Sequence, residues 1–119
     1  VRSAMQASHE RSNPEVLRAP DRERFRRYQA RWVCNTPASF TAQARMMSAV
    51  DLSEDYARIT APTLVIGAMF DGLRPAAMAQ QVAGTIRGAH YTLADTGHFM
   101  NLQTPQLFAD TLLAFFEQR

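Results

Sequence analysis

At 119 residues the chain has room for one domain at most, and its 46% hydrophobic and 20% charged content fits a folded globular protein and excludes a disordered one. No apolar run approaches the ~18 residues of a membrane span, so a soluble protein with no membrane partner is expected. The formal net charge is +2, all thirteen basic residues are arginine, and eight of them precede Val33. Asp21, Glu23 and Glu10 interrupt that charge, while Phe25, Tyr28 and Trp32 fall at helical spacing, which reads as a solvated helix face and not as a nucleic-acid surface.

Cys34 is the single cysteine, so no disulfide framework or cysteine metal cluster is available, and a reducing compartment, the cytoplasm, is expected. The opening Val1-Arg2-Ser3-Ala4 has neither an initiator Met nor a signal-peptide core behind it. That favours a fragment or a processed chain.

The first half reads as helices joined by Asn/Pro turns. Residues 1–10 predict a helix that ends before Ser12-Asn13-Pro14. A second helix is expected to start near Pro20, with Asp21 and Glu23 at its positive end. Thr36-Pro37 repeats the cap-plus-proline signal and opens a helix with Phe40, Ala44 and Met47 on its inner face. Ser53 is expected to cap a short helical turn reaching Arg58.

After residue 60 the period changes, and every glycine lies in this half. Thr63-Leu64-Val65-Ile66, closed by Gly67, predicts a strand buried on both faces of a parallel sheet. Pro75 starts a helix to about Ala83 that buries Met78, Ala79 and Val82. Ala89 to Leu93 predicts a second, alternating strand. Thr104-Pro105 opens a last helix with Phe108, Leu112 and Phe115 or Phe116 on one face. The strand–helix–strand–helix order gives the fold class, α/β with a parallel sheet. Two such strands cannot cover themselves, so the segment is part of a larger sheet.

Two residues just past the strand ends carry candidate chemistry, where open α/β sheets place their sites. Asp71 lies in the loop after the first strand. His98 follows the second, with Gly97 giving the backbone freedom to turn the imidazole upward. Adjacent parallel strands lie about 4.8 Å apart, so the two loops can bring these side chains together. By themselves, an Asp at a helix entrance and a His in a loop read more readily as residues that never meet.

The surrounding pattern resembles the C-terminal end of the α/β-hydrolase superfamily. The resemblance runs through Ile59-Thr60-Ala61-Pro62-Thr63-Leu64-Val65-Ile66-Gly67, then Asp71 and Pro75. It continues through Ile86-Arg87-Gly88-Ala89, Gly97-His98-Phe99 and Thr104-Pro105-Gln106-Leu107-Phe108 to the stretch Leu113 to Phe116. It implies that Asp71 is the acid and His98 the general base of a catalytic triad, with no metal or organic cofactor. Residues 1–52 look like the end of a helical cap, and residues 53–119 like the last βαβα part of the core. The run from Phe25 to Leu52 is most similar to 3-oxoadipate enol-lactonases and related ester, lactone and C–C hydrolases.

Trp32 and Phe40 are expected to pack in the core, Met100 to line a pocket wall, and Cys34 to be a buried cap cysteine. Arg74 is read either as an attractor of an anionic substrate or as a solvated surface residue. The nucleophile of this family sits in a Gly-x-Ser-x-Gly turn. No glycine precedes Gly67 and no serine follows Ser53, so that turn is not in this sequence. The family's chain order places it N-terminal to these residues.

The resemblance therefore implies the C-terminal segment of a serine-type hydrolase of a carboxylic ester or lactone, with this chain inactive alone. Its expected partner is an N-terminal hydrolase segment or a second copy. The alternative is a non-catalytic structural or interaction module derived from the same fold.

Overall fold

A computed structural model describes residues 2–118. Helix α1 (Arg2–Ser12) runs up to Asn13-Pro14. The stretch beyond, for which no element is expected, winds into the short helix α2 (Glu15–Arg18) and a 3-10 turn (Ala19–Asp21), because the Pro14 carbonyl accepts from the Leu17 and Arg18 amides. Helix α3 (Arg22–Trp32) begins two residues past Pro20, near which its start is expected. Its N-cap is Asp21, whose carboxylate accepts from the Arg24 amide at 2.9 Å. Arg22, Arg24 and Arg27 each pair with a carboxylate on this exposed surface.

Helix α4 (Pro37–Ala49) follows the Thr36-Pro37 signal, with the Thr36 hydroxyl accepting from the Ser39 amide. Its expected inner face is mostly open: Phe40 is half-buried, but Ala44 and Met47 are exposed. Ser53 does not cap the next turn. It is the first residue of α5 (Ser53–Tyr56), and its amide and hydroxyl both donate to Asp51.

Strands β1 (Leu64–Ala68) and β2 (His90–Ala94) form a parallel pair in the register Leu64↔His90 to Ala68↔Ala94. Helix α6 (Ala76–Thr85) connects them, and Gly88 turns the chain into β2 at φ 74°, a left-handed conformation that favours glycine. Two packing expectations fail here. The strand is only half-buried apart from Gly67, because β2 is its sole partner among the described residues. Met78 is half-exposed, while Ala83 provides the buried face of α6. Phe116 is exposed, leaving Phe108, Leu112 and Phe115 as the inner face of α8 (Pro105–Glu117).

A short helix that the sequence did not suggest, α7 (Met100–Gln103), fills the approach to α8. The buried apolar side chains fall in two groups along the chain: Met5, Leu17 and Phe25 in the early helices, and Ala83, Ile86, Ala94 and Met100 in the half that carries the strands. Polar ties join the groups. The Arg24 guanidinium donates to the Leu102 carbonyl at 2.9 Å and Gln103 Nε2 to the Ser12 carbonyl at 2.7 Å, while the Trp32 indole donates to the Met5 carbonyl at 3.0 Å within the first group. No described helix is long and apolar enough to cross a membrane.

Candidate active site

The β-ladder does not stop at the strand ends. Met69 donates its amide to Ala94 at 3.0 Å, and Phe70 donates to Thr96 at 2.9 Å. These bonds zip the loop after β1 to the loop after β2. Thr96, fully buried, shares a 2.6 Å hydrogen bond with Thr104, so the second loop is also anchored to the start of α8.

On that platform Asp71 and His98 meet. His98 Nδ1 lies 2.8 Å from Asp71 Oδ2, although the two are 27 positions apart in the chain. The Asp71 side chain is only 7% exposed, and burying a carboxylate is costly unless hydrogen bonds replace its water. Here they do: Oδ1 accepts from the Leu73 and Arg74 amides, each at 2.8 Å, while Oδ2 faces the imidazole.

As a carboxylate Asp71 only accepts, so Nδ1 is the donor of the 2.8 Å bond and carries the ring proton. In the neutral ring Nε2 is then the unprotonated nitrogen, and no described residue bonds to it. His98 is 28% exposed, so this nitrogen belongs to a ring that solvent or a ligand can reach. Such a ring can take up a proton while Asp71 stabilises the imidazolium.

His98 stands between two hollows. One, of about 470 Å³, is walled by Trp32, Phe40, Met47, Leu73 and Phe99, with Arg74 at its edge. The other, of about 270 Å³, is lined by Ile66, Ala79, Met100 and Phe108 together with Asp71. Met100 is therefore a pocket wall, as expected.

Trp32 and Phe40 line the larger hollow as well as packing. The Trp32 ring lies 5.7 Å from Phe99 in an edge-on contact, and Phe99 lies 4.7 Å from the His98 ring. Arg74 donates to the Leu73 carbonyl, and its side chain makes no ion pair among the described residues. Cys34 is exposed, not buried, because it follows the end of α3, where its thiol donates back to the Ala30 carbonyl. No group of three or more His, Cys, Asp or Glu side chains among the described residues converges as a metal site would.

Sequence reading missed a buried polar network beside the site. Gln103, Ser12 and Asn13 are almost entirely enclosed, and Gln103 joins the loop of His98 to the end of α1. The only signal for it was a Gln just before the Thr104-Pro105 helix start, which periodicity does not mark.

No protein-family model matches the chain. Over 73 residues it is 40% identical to pyrrolizixenacetamide deacetylase of Xenorhabdus hominickii, a match that covers 61% of this chain and 27% of that protein. The enol-lactonase of Burkholderia xenovorans LB400 superposes with a TM-score of 0.89 at 21% identity, over 97% of this chain and 44% of the other. An N-acyl homoserine lactone degrading enzyme superposes with a TM-score of 0.80 at 24% identity, over 96% and 47%. The chain thus spans about a quarter to a half of the proteins it matches. Its fold is a small parallel sheet flanked by helices, as in the C-terminal portion of α/β-hydrolases.

Proposed function

We propose that the chain supplies the acid, Asp71, and the general base, His98, of a triad in a serine-type α/β-hydrolase acting on a carboxylic ester or lactone. The observation that carries the reading is the 2.8 Å contact between His98 Nδ1 and a carboxylate pinned by two backbone amides, at the C-terminal end of parallel strands. Residues 1–52 form the end of a helical cap and residues 53–119 the last part of the core. The larger hollow supports that division, since Trp32, Phe40 and Met47 face His98 and Leu73 across it.

In the intact protein a serine from an N-terminal segment attacks the carbonyl carbon as His98 Nε2 takes its proton. The carbonyl electrons move to oxygen, the tetrahedral intermediate collapses, and the imidazolium returns the proton to the departing alkoxide. Water, deprotonated by the same nitrogen, then releases the acid and restores the serine. Throughout, Asp71 holds the productive tautomer.

A second reading, amide hydrolysis by the same groups, is favoured by the 40% identity to a deacetylase over 73 residues. Assay of the intact protein on p-nitrophenyl acetate, an acyl lactone and an acetanilide separates the two. Ester or lactone turnover well above amide turnover is expected, and the reverse order would replace the first reading with the second. Failure of His98→Ala to reduce any of the three rates would sink both.

A further inference from the structure

We infer that Gln103 is a positioning residue for His98, one carboxamide that locks the loop after β2 against the end of α1. This inference rests on the role given to His98 above. Gln103 is 7% exposed, and its polar end is spent entirely within the protein. Oε1 accepts from the Phe99 amide at 3.0 Å. Nε2 donates to the Ser12 carbonyl at 2.7 Å and to Asn13 Oδ1 at 2.9 Å. Asn13 is fixed in turn, since its Nδ2 donates to the His9 carbonyl at 2.9 Å and lies 3.3 Å from His9 Nδ1.

The bond to Phe99 reaches the residue next to His98, and the Phe99 ring packs edge-on against the imidazole. Gln103 therefore constrains the base through both the backbone and its neighbouring ring. The backbone at Gly97 closes the same ring of contacts: a Cβ there would lie 2.7 Å from Gln103 Oε1 and 2.7 Å from the tip of Leu17. Glycine at 97 lets the loop seat on Gln103. A shift of this loop by a fraction of an ångström moves Nε2 off the line of proton transfer, and of the apolar walls named for the larger hollow it moves only Phe99.

Two substitutions separate the ties. Gln103→Leu fills the space but leaves the Phe99 amide and the Ser12 carbonyl unpaired. Gln103→Glu can still accept from Phe99, but it sets a carboxylate against the Ser12 carbonyl and Asn13 Oδ1. The intact protein is followed by three readouts: a circular dichroism melt, kcat and KM on whichever substrate it turns over, and the low-field proton resonance of His98 Nδ1–H. Loss of that resonance in Asp71→Asn assigns it.

Gln103→Leu is expected to lower kcat roughly tenfold to a hundredfold with KM nearly unchanged, and to broaden the resonance away. Gln103→Glu should fall between it and the parent, with the resonance retained. A folded Gln103→Leu whose kcat and resonance match the parent overturns the inference. Should Gln103→Leu not fold, Asn13→Ala, which removes one carboxamide partner, is decided by the same two readouts. A parent that hydrolyses nothing would remove the hydrolase reading, and the resonance alone would then decide the positioning.

Discussion

Asp71 uses its two oxygens differently, and that division governs what substitution does. Oδ1 is committed to the Leu73 and Arg74 amides, and Oδ2 to His98. In Asp71→Asn the carboxamide oxygen keeps the backbone bonds, which turns the amino group toward Nδ1. The imidazole must then accept at Nδ1 and carry its proton on Nε2, where it cannot act as a base. A kcat loss of roughly 10³- to 10⁴-fold with an unchanged melting temperature is expected in the intact protein. A loss of less than tenfold would mean that the tautomer does not matter to the chemistry.

His9 makes a different statement, about stability. It is 3% exposed, with Tyr28 and Trp32 packed against its ring. Burial, and then the neighbouring Arg18 cation, lower its pKa from the usual 6.5, while Glu10 acts weakly the other way. The native state therefore takes up its proton later than the unfolded chain as pH falls. Above pH 6.5 both states are neutral and His9 adds no pH dependence. Below it the unfolded chain is protonated first, so stability drops until the folded pKa is passed. Urea melts at pH 7.5 and pH 5.5 should show this drop, and His9→Gln should shrink it. An equal drop in the variant would assign it elsewhere.

Asp71 and His98 were legible as neighbours because both follow a strand end, and strand spacing fixes the rest. Gln103 and Asn13 were not. Their partners lie about 90 residues away in the chain, and buried carboxamides leave no periodic trace.

Among the elements, those announced by caps and prolines formed nearly where expected. Thr36 caps α4 through the Ser39 amide, so Thr36→Ala should cost about 1 kcal/mol in a denaturant melt of the intact protein. A change below a few tenths would show that α4 is held by packing alone. Helix α3 starts at Arg22, near Pro20 as expected, but the Pro14 carbonyl nucleates an additional helical turn before it, an event that composition does not mark. The short α7 escaped notice because one turn carries no period. Burial was the least legible property. The helices and strand β1 have apolar patterns that call for neighbours, and the chain does not supply all of them, as the sequence already implied for the strand. Met47, Met78 and Phe116 are exposed for that reason.

At the scale of the molecule the same deficit becomes measurable. A compact protein of this mass exposes about 6,500 Å², yet this chain exposes 8,308 Å². Its radius of gyration is 15.9 Å, against about 13.5 Å for a compact domain of its length. The outward edges of β1 and β2 are unpaired among the described residues, and Met46, Val50, Leu93 and Leu113 lie open. Such surface marks an interface or an aggregation site.

The chain alone should therefore give no cooperative melt as a monomer, and light scattering should find it associated. A sharp monomeric transition would make it a self-sufficient domain. The central claim, that Asp71 and His98 serve a nucleophile carried by an N-terminal segment, is tested most directly by ester and lactone hydrolysis, comparing the 119-residue chain with the protein that carries that segment. The chain alone should leave the substrates at their background rate. The longer protein should turn one over, and His98→Gln should abolish that turnover. Hydrolysis by the chain alone that vanishes in Cys34→Ser, or turnover by the longer protein that survives the loss of His98, would contradict it.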